Sequence, residues 1–485
     1  MEAEPGYWLV ATALMYGCAL FNCYHVLGAR SSPAASISWI WANLAIPVLG
    51  VPLYWFLGPG RIKDYHYGPV DLPSGSGDHH HCDRHKPCPQ TIIYSRIFSS
   101  FGPVFQPLPS RVRLLIDGGK AFDEIFKEIS KARSYILVQY YILRSDRLGL
   151  ELKNLLINKA SQGLKVYLLY DHMGSFWLPK QYLNDLRQAG VRTASFLHIF
   201  SLRKFFLMNH RNHRKLVVVD GRVSFTGGLN VGEEYAGSKF GKKDTLWRDT
   251  QISIKGPTVR QFEAIFLGDW SYATGEDLSP ELKLCRKNMS ERRRNPPVPT
   301  KVNSRQMMLI PSGPYDSTNI GMLLFNQMIH GCQKRLWVST PYFVPDEALQ
   351  QGLELAVLRG VDVRILIPKK AEHKLVHWVT LSYAEQVQRT GVKIYLYDKG
   401  FVHQKVFLID DETSFVGTSN FDNRTLYLNF ELMVGIFDHQ FNKKVEDMLL
   451  RDFDDSHEFA PYSDRIIRRL IRLRANGARL LAPLL

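Results

Sequence analysis

Two stretches of the chain carry the same chemistry at the same spacing. His213-Arg-Lys215 runs through four apolar residues to Asp220, then after six more residues to Gly227, Gly228, Leu229 and Asn230. His403-Gln-Lys405 runs through four apolar residues to Asp410, then after six more to Gly417, Thr418, Ser419 and Asn420. A lone His-x-Lys carries no weight. A lysine inside an apolar run is expensive to bury unpaired, and its recurrence in a matched frame points to function. Residues i and i+2 of a strand share a face, so each histidine and its lysine point the same way. Each asparagine follows a glycine turn, where backbone can approach closely. If two such units pack about a pseudo-twofold axis, two histidines, two lysines and two asparagines converge. Two cations and two amide donors suit a phosphoryl group. Two imidazoles let one attack phosphorus while the other protonates the leaving oxygen.

A catalytic imidazole needs orientation, usually from a carboxylate on its other nitrogen. Asp249 and Glu431 are the candidates, each expected on the next strand of its own unit. They follow Asn230 and Asn420 by nineteen and eleven residues. Asp220 and Asp410 complete the repeated motif. They fall at the opposite parity from the histidines, at the strand ends, which suits a structural or orienting role.

The elements that would position these groups also come twice. A helical period over Ala121–Ala132 precedes an apolar strand at Tyr135–Ile142, and Asn319–Cys332 precedes Leu336–Tyr342. Gly163 and Gly360 each open a strand-like run, as do Gly190 and Gly391. Alternating strands and helices in both halves predict two similar α/β units. The divisions fall at 1–60 (membrane anchor), 61–110 (linker with a His/Cys-rich loop), 111–285 (first unit), 286–304 (interdomain loop), 305–460 (second unit) and 461–485 (basic C-terminal segment).

Tyr7–Leu27 has 21 residues with no Asp, Glu, Lys or Arg, enough to cross a bilayer as a helix. A second uncharged run follows from Ser31 to Pro59, interrupted by Pro47, Gly50 and Pro52, so a kinked or re-entrant segment is expected. No basic region precedes the first run, which argues against a cleaved secretory signal. A two-span hairpin in the cell inner membrane is expected. Arg61 and Lys63 against Arg30 place the catalytic body on the cytoplasmic side.

The 485 residues are 45% apolar and 22% charged, which excludes global disorder. Sixty-one basic against forty-six acidic residues leave +15, favouring an anionic partner, nucleic acid or acidic lipid. Six cysteines are too few for a disulfide framework. His79, His80, His81, Cys82, His85 and Cys88 could bind a soft metal, but their spacing matches no paired-ligand pattern, and a His-rich loop is favoured. At the C-terminus Ile466, Leu470 and Leu473 share a helical face while Arg465, Arg468, Arg469 and Arg472 fall elsewhere. That pattern suits an interfacial helix on acidic lipid, or a basic packing helix of the body.

The duplicated His-x-Lys-x4-Asp motif resembles the phospholipase D superfamily, and the flanks are similar to bacterial cardiolipin synthases. Those flanks are Ile46-Pro-Val-Leu-Gly50, Gln139-Tyr-Tyr-Ile142, Gly417-Thr-Ser-Asn-Phe-Asp-Asn-Arg424, Leu428-Asn-Phe-Glu431 and Leu480–Leu485. The resemblance implies two phospholipase D-like α/β units packed as a pseudo-dimer behind a transmembrane hairpin. It implies transfer of a phosphatidyl group from one phosphatidylglycerol to another through a phosphohistidine, with no cofactor and no catalytic metal. His213 is then the expected nucleophile and His403 the general acid and base. Lys215, Lys405, Asn230 and Asn420 would hold phosphate oxygens, and Asp249 and Glu431 would orient the histidines. Gly228 stands where many relatives carry serine, which weakens the expectation of a hydroxyl contact there. A hydrolase would use the same residues with water as acceptor, and a transphosphatidylase would use them with another alcohol; exclusion of water would decide against the first. A nuclease is disfavoured by the anchor and by the lack of a basic-aromatic stripe. A non-catalytic lipid-binding scaffold would be expected to have lost one of the four His and Lys residues.

Overall fold

The computed structural model describes residues 5–28, 33–58, 60, 62, 64–70, 88–197, 207, 209–237, 247–283, 304–370, 372, 374–460 and 477. The histidines of the His/Cys cluster, the 286–303 loop and the basic C-terminal face lie outside the described residues. Cys88 lies within them, its thiol donating to Glu412 Oε2 at 2.8 Å.

The first unit contributes β1 (Leu108–Ile116), β2 (Tyr135–Tyr140), β3 (Lys165–Asp171), β4 (Arg192–Phe196), β5 (Arg211–Asn212), β6 (Leu216–Val219), β7 (Val223–Gly227), β8 (Trp247–Arg248) and β9 (Thr250–Lys255). The second contributes β10 (Arg305–Ser312), β11 (Arg335–Ser339), β12 (Phe343–Val344), β13 (Asp362–Pro368), β14 (Lys393–Tyr397), β15 (Phe401–Val402), β16 (Val406–Ile409), β17 (Thr413–Gly417), β18 (Phe421–Asp422), β19 (Asn429–Phe437) and β20 (Ser456–Glu458). One continuous sheet runs β20-β14-β13-β11-β16-β17-β19-β10-β1-β9-β7-β6-β2-β3-β4. Reading outward from the antiparallel β1–β10 seam, both halves place equivalent strands in the same order, which is the pseudo-twofold expected from the repeat. Strand β2 is buried along its whole length, as suits a strand with both faces covered by helices. The helix Gly118–Ser130 turns Ala121, Phe122, Ile125 and Ile129 inward, the stripe of an amphipathic helix on a sheet.

The described parts of the segment expected as a linker, on either side of residues 71–87, contribute to the core. Tyr94 packs its ring 5.2 Å from Phe415 and 5.4 Å from Phe437 of the second unit. Tyr65 stacks on Tyr315 at 4.0 Å. The Gly, Pro and His content of residues 71–91 concealed these aromatic anchors on either side of it.

At the N-terminus α1 (Pro5–Gly28) is long and apolar enough to cross a membrane. The second uncharged run breaks at Ile46 into α2 (Pro33–Ala45) and α3 (Pro47–Leu57). Pro47 supplies no N–H and drives the residue before it out of the helical region, and Ile46 sits at φ −137°, ψ 67°. Asn22 of α1 accepts from Trp55 of α3 at 3.0 Å and donates to Asn43 of α2 at 2.8 Å. Those two partners would stand roughly 18 Å apart on a straight helix, so α3 folds back beside α2. At about 20 and 16 Å, neither arm spans a hydrocarbon core of about 30 Å. The expected second span is therefore a folded-back pair of half-length helices.

Candidate active site

The seam alone does not bring the two motifs together; two short parallel strand pairings do. Strand β5 runs parallel to the start of β19, and β15 runs parallel to β8. The backbone N–H of His213 donates to Phe430 O at 2.9 Å, and that of His403 to Arg248 O at 2.8 Å. Each histidine segment is thereby stitched to the carboxylate strand of the opposite unit.

The orienting pairs consequently cross the seam, each carboxylate facing the histidine of the other unit. His213 Nδ1 lies 3.0 and 3.1 Å from the Glu431 oxygens, and His403 Nδ1 lies 2.8 Å from Asp249 Oδ2. Burial brings His213 down to about 4 and His403 down to about 3, with Lys405 adding to the effect at His403, so both rings are neutral at pH 7. Burial opposes ionisation of Asp249 and Glu431, but the hydrogen bonds from the His403 and His213 rings, with Lys405 and Lys215 close by, outweigh it and hold both carboxyls below their ordinary values. An ionised carboxylate only accepts, so each Nδ1 carries the proton and each Nε2 keeps its lone pair for the cavity.

Lys215 Nζ donates to His213 O at 2.7 Å and sits 5.3 Å from the centre of the Tyr141 ring. Burial lowers its pKa well below the ordinary ammonium value. Lys405 Nζ lies 3.0 Å from both ring nitrogens of His403, and burial brings its pKa down to about 8, against the pull of Asp249 and Glu431. Lysine is cationic below its pKa and neutral above it. If the charge of Lys405 holds substrate, kcat/KM falls as pH rises through about 8. Lys405→Arg moves that limb to higher pH, because a guanidinium stays charged. A pH–rate profile in which the limb does not move would exclude Lys405 as its origin.

The histidines face a cavity of about 310 Å³ whose lining also includes Asn230, Asn420, Arg211, Arg424, Tyr141 and Tyr342. Asn230 Nδ2 donates to Tyr235 OH at 2.9 Å, and its oxygen accepts from the Ile142 N–H at 3.2 Å. Asn420 Oδ1 is buried with no protein partner among the described residues. The arrangement can hold one tetrahedral phosphorus between two imidazole nitrogens, with asparagine side chains in the cavity lining and the two lysines against the histidine segments.

A family model described as "Cardiolipin synthase, PLD-like domain" matches residues 125–270 and 325–453. A protein named Cardiolipin synthase A from Pseudomonas aeruginosa (strain LESB58) is 43% identical over 378 residues, 78% of this chain and 74% of that one. One of the same name from Pseudomonas putida is 41% identical over 380 residues, 78% of this chain and 75% of its own. The chain belongs to the cardiolipin synthase family. The solved phosphatidylserine synthase of Haemophilus influenzae Rd KW20 has the same fold, with a TM-score of 0.60 at 16% identity, covering 82% of this chain and all of its own.

This family member departs from its own repeat at Gly228. Its counterpart, Thr418, donates to Glu431 Oε2 at 2.5 Å. A Cβ on Gly228 would stand 2.0 Å from Asp249 Oδ1, so the carboxylate occupies the space a side chain would need. Gly228→Ala is expected to push Asp249 off His403. It should destabilise the fold by about 1–3 kcal/mol and cut kcat by about tenfold or more, read by thermal unfolding beside steady-state kinetics. Wild-type kcat in a stably folded variant would contradict that reading.

Asp220 and Asp410, which complete the motif, bond to backbone at the strand ends. Asp220 accepts from the backbone N–H groups of Arg133, Ser134 and Tyr135, and Asp410 from those of Gln333, Lys334 and Arg335. Each ties the end of its motif strand to the start of β2 or β11, at positive φ of 54° and 48° that aspartate tolerates. The site also contains groups that sequence reasoning did not single out. Arg211 stands two residues before His213, and Arg424 closes the Gly417–Arg424 run, so both were within sight of the motif. Tyr235, whose ring packs 5.4 Å from that of His403, carries no local signal. Beneath the cavity, fully buried Arg214 donates to Asp269 at 2.7 Å, Tyr65 OH at 2.8 Å and Glu431 O at 3.0 Å. A buried ion pair of this kind stiffens the floor on which His213 and Glu431 sit.

Proposed function

We propose that this protein is a cardiolipin synthase: it moves the phosphatidyl group of one phosphatidylglycerol to a hydroxyl of a second, releasing glycerol. The observation that carries the reading is the pair of carboxylate-bound histidines opening onto one cavity, in a member of this family. His213 Nε2 attacks phosphorus and forms the P–N bond as the P–O bond to glycerol breaks. His403 protonates the departing oxygen, then takes the proton of the acceptor hydroxyl as that oxygen attacks phosphorus and the P–N bond breaks. The arriving phosphodiester anion favours the charged forms of His403, Lys215 and Lys405, which burial alone disfavours. Glu431 holds the proton of His213 on Nδ1, and Asp249 does the same for His403. Lys215, Lys405, Asn230 and Asn420 hold the non-bridging oxygens. No step calls on a metal.

The substrate is an anionic lipid, and the body works at the bilayer. Helix α1 anchors the chain, and Asn209 and His210 join the body to the backbone oxygens of Leu57, at the end of α3, and Gly60, just past it. The loop after β3 exposes Phe176 and Trp177, the latter 90% exposed, as suits contact with an interface. The few charges around the N-terminal helices favour a cytoplasmic body. The test is a vesicle assay of purified protein with labelled phosphatidylglycerol. Cardiolipin and equimolar glycerol are expected. Phosphatidic acid alone would move the assignment to a hydrolase.

A further inference from the structure

We propose that Arg211 and Arg424 form a second anion subsite in the cavity, which receives the phosphodiester of the acceptor lipid. The inference rests on the synthase reading and adds to it the means of choosing the acceptor. It starts from a break in the pseudo-twofold. His213 matches His403, Lys215 matches Lys405 and Asn230 matches Asn420, but the basic groups beside them are not matched. The residue two before each histidine is Arg211 in one unit and Phe401 in the other, and the residue four after each asparagine is Glu234 in one and Arg424 in the other. On the unmatched side Phe401 packs 4.7 Å from Trp247, and Glu234 is paired with Arg144 at 2.7 Å. The two cations therefore gather on one side of the axis.

A reaction between two copies of one anionic lipid needs this asymmetry. The donor phosphodiester is held on the axis by the matched lysines and asparagines. The acceptor brings a second phosphodiester, one glycerol away from its attacking hydroxyl, and that charge needs cations of its own. Both arginines line the same cavity as the histidines. Burial, and then the charge of Arg211, press against the charge on Arg424, so an anion between them relieves their repulsion. Asp171 and Asp422 bear on the pair, and Asp422 and Glu372 line the same cavity. Asp171 accepts from the backbone N–H of Asn212 at 2.8 Å, and Asp422 accepts from that of Thr425 at 2.7 Å.

The subsite also lies where a lipid would arrive. Arg424 donates to Asn209 Oδ1 at 2.9 Å and to Asn209 O at 2.5 Å. The Asn209 amide in turn donates to Leu57 O at 3.0 Å, at the end of α3. The basic side of the cavity is thus tied directly to the membrane-associated helices.

The experiment compares two products of one enzyme in phosphatidylglycerol vesicles. Labelled glycerol exchanged into phosphatidylglycerol reports formation and reversal of the phosphohistidine without an acceptor phosphate. Cardiolipin reports transfer to a second lipid. In Arg211→Gln and Arg424→Gln the ratio of cardiolipin to exchanged glycerol is expected to fall tenfold or more, with a raised KM for the lipid acceptor. A ratio that stays at the wild-type value in both variants, or loss of both products together in both, overturns the proposal. Wild-type protein that exchanges glycerol but makes no cardiolipin would instead sink the synthase reading itself.

Discussion

Replacing His213 or His403 by alanine is expected to lower cardiolipin formation by at least about 10³-fold, with the protein still folded. The size follows from what each ring supplies. His213→Ala has no nitrogen to take the phosphatidyl group, so no covalent enzyme forms. His403→Ala keeps the nucleophile but leaves glycerol to depart as an unprotonated alkoxide, so the covalent enzyme forms slowly and, once formed, persists. Trapping with lipid labelled in its phosphorus separates the two: label bound to protein in an acid-labile, alkali-stable form appears in His403→Ala and not in His213→Ala. The opposite pattern would exchange the two roles. Substantial turnover in either variant would remove the double-histidine mechanism altogether. Folding should survive, because Glu431 retains bonds from Thr418 at 2.5 Å and Asn429 at 3.1 Å, and Asp249 retains the Thr250 N–H at 2.7 Å.

The second large effect tests the exchange of carboxylates between the units. Glu431→Gln and Asp249→Asn keep shape but remove the charge that fixes the proton on Nδ1, and each is expected to cost about 10²–10⁴ in kcat. Which histidine each variant disables is the sharper question. An imidazole Nδ1–H bonded to a buried carboxylate gives a low-field proton resonance. The signal missing from His213→Ala should be the one missing from Glu431→Gln, and the signal missing from His403→Ala the one missing from Asp249→Asn. Pairing within units, His213 with Asp249, would contradict the geometry. Because both pairs cross the seam, a change that only loosened the contact of β5 with β19 should lower turnover while leaving each unit folded.

Gly228 and Thr418 illustrate how the repeat conceals asymmetry. Their positions are equivalent in the sequence, yet one side chain donates to a carboxylate and the other is absent because a carboxylate fills its place. The two carboxylates differ in length, Asp249 against Glu431, and the shorter one reaches His403 only by moving in over Gly228. Spacing alone could flag the glycine; only packing explains it.

Much of this protein was legible in its residues. The matched frames from His213 to Asn230 and from His403 to Asn420 determined that there are two units, that they are alike, and which side chains share a face, because strand parity and turn chemistry are local properties of the chain. The uncharged run at Tyr7–Leu27 determined an apolar helix of membrane length in the same local way. Tertiary structure decided the rest. That His213 is held by Glu431, 218 residues away, and His403 by Asp249, 154 residues away, depends on β5 meeting β19 and β15 meeting β8. The same holds for the particular backbone groups that Asp220 and Asp410 cap, for the packing of Tyr65 and Tyr94 into the core, and for the gathering of Arg211 and Arg424 on one side of the cavity. Local pattern specifies which way a side chain faces. What it faces is set by burial and hydrogen bonding between segments that the sequence holds far apart.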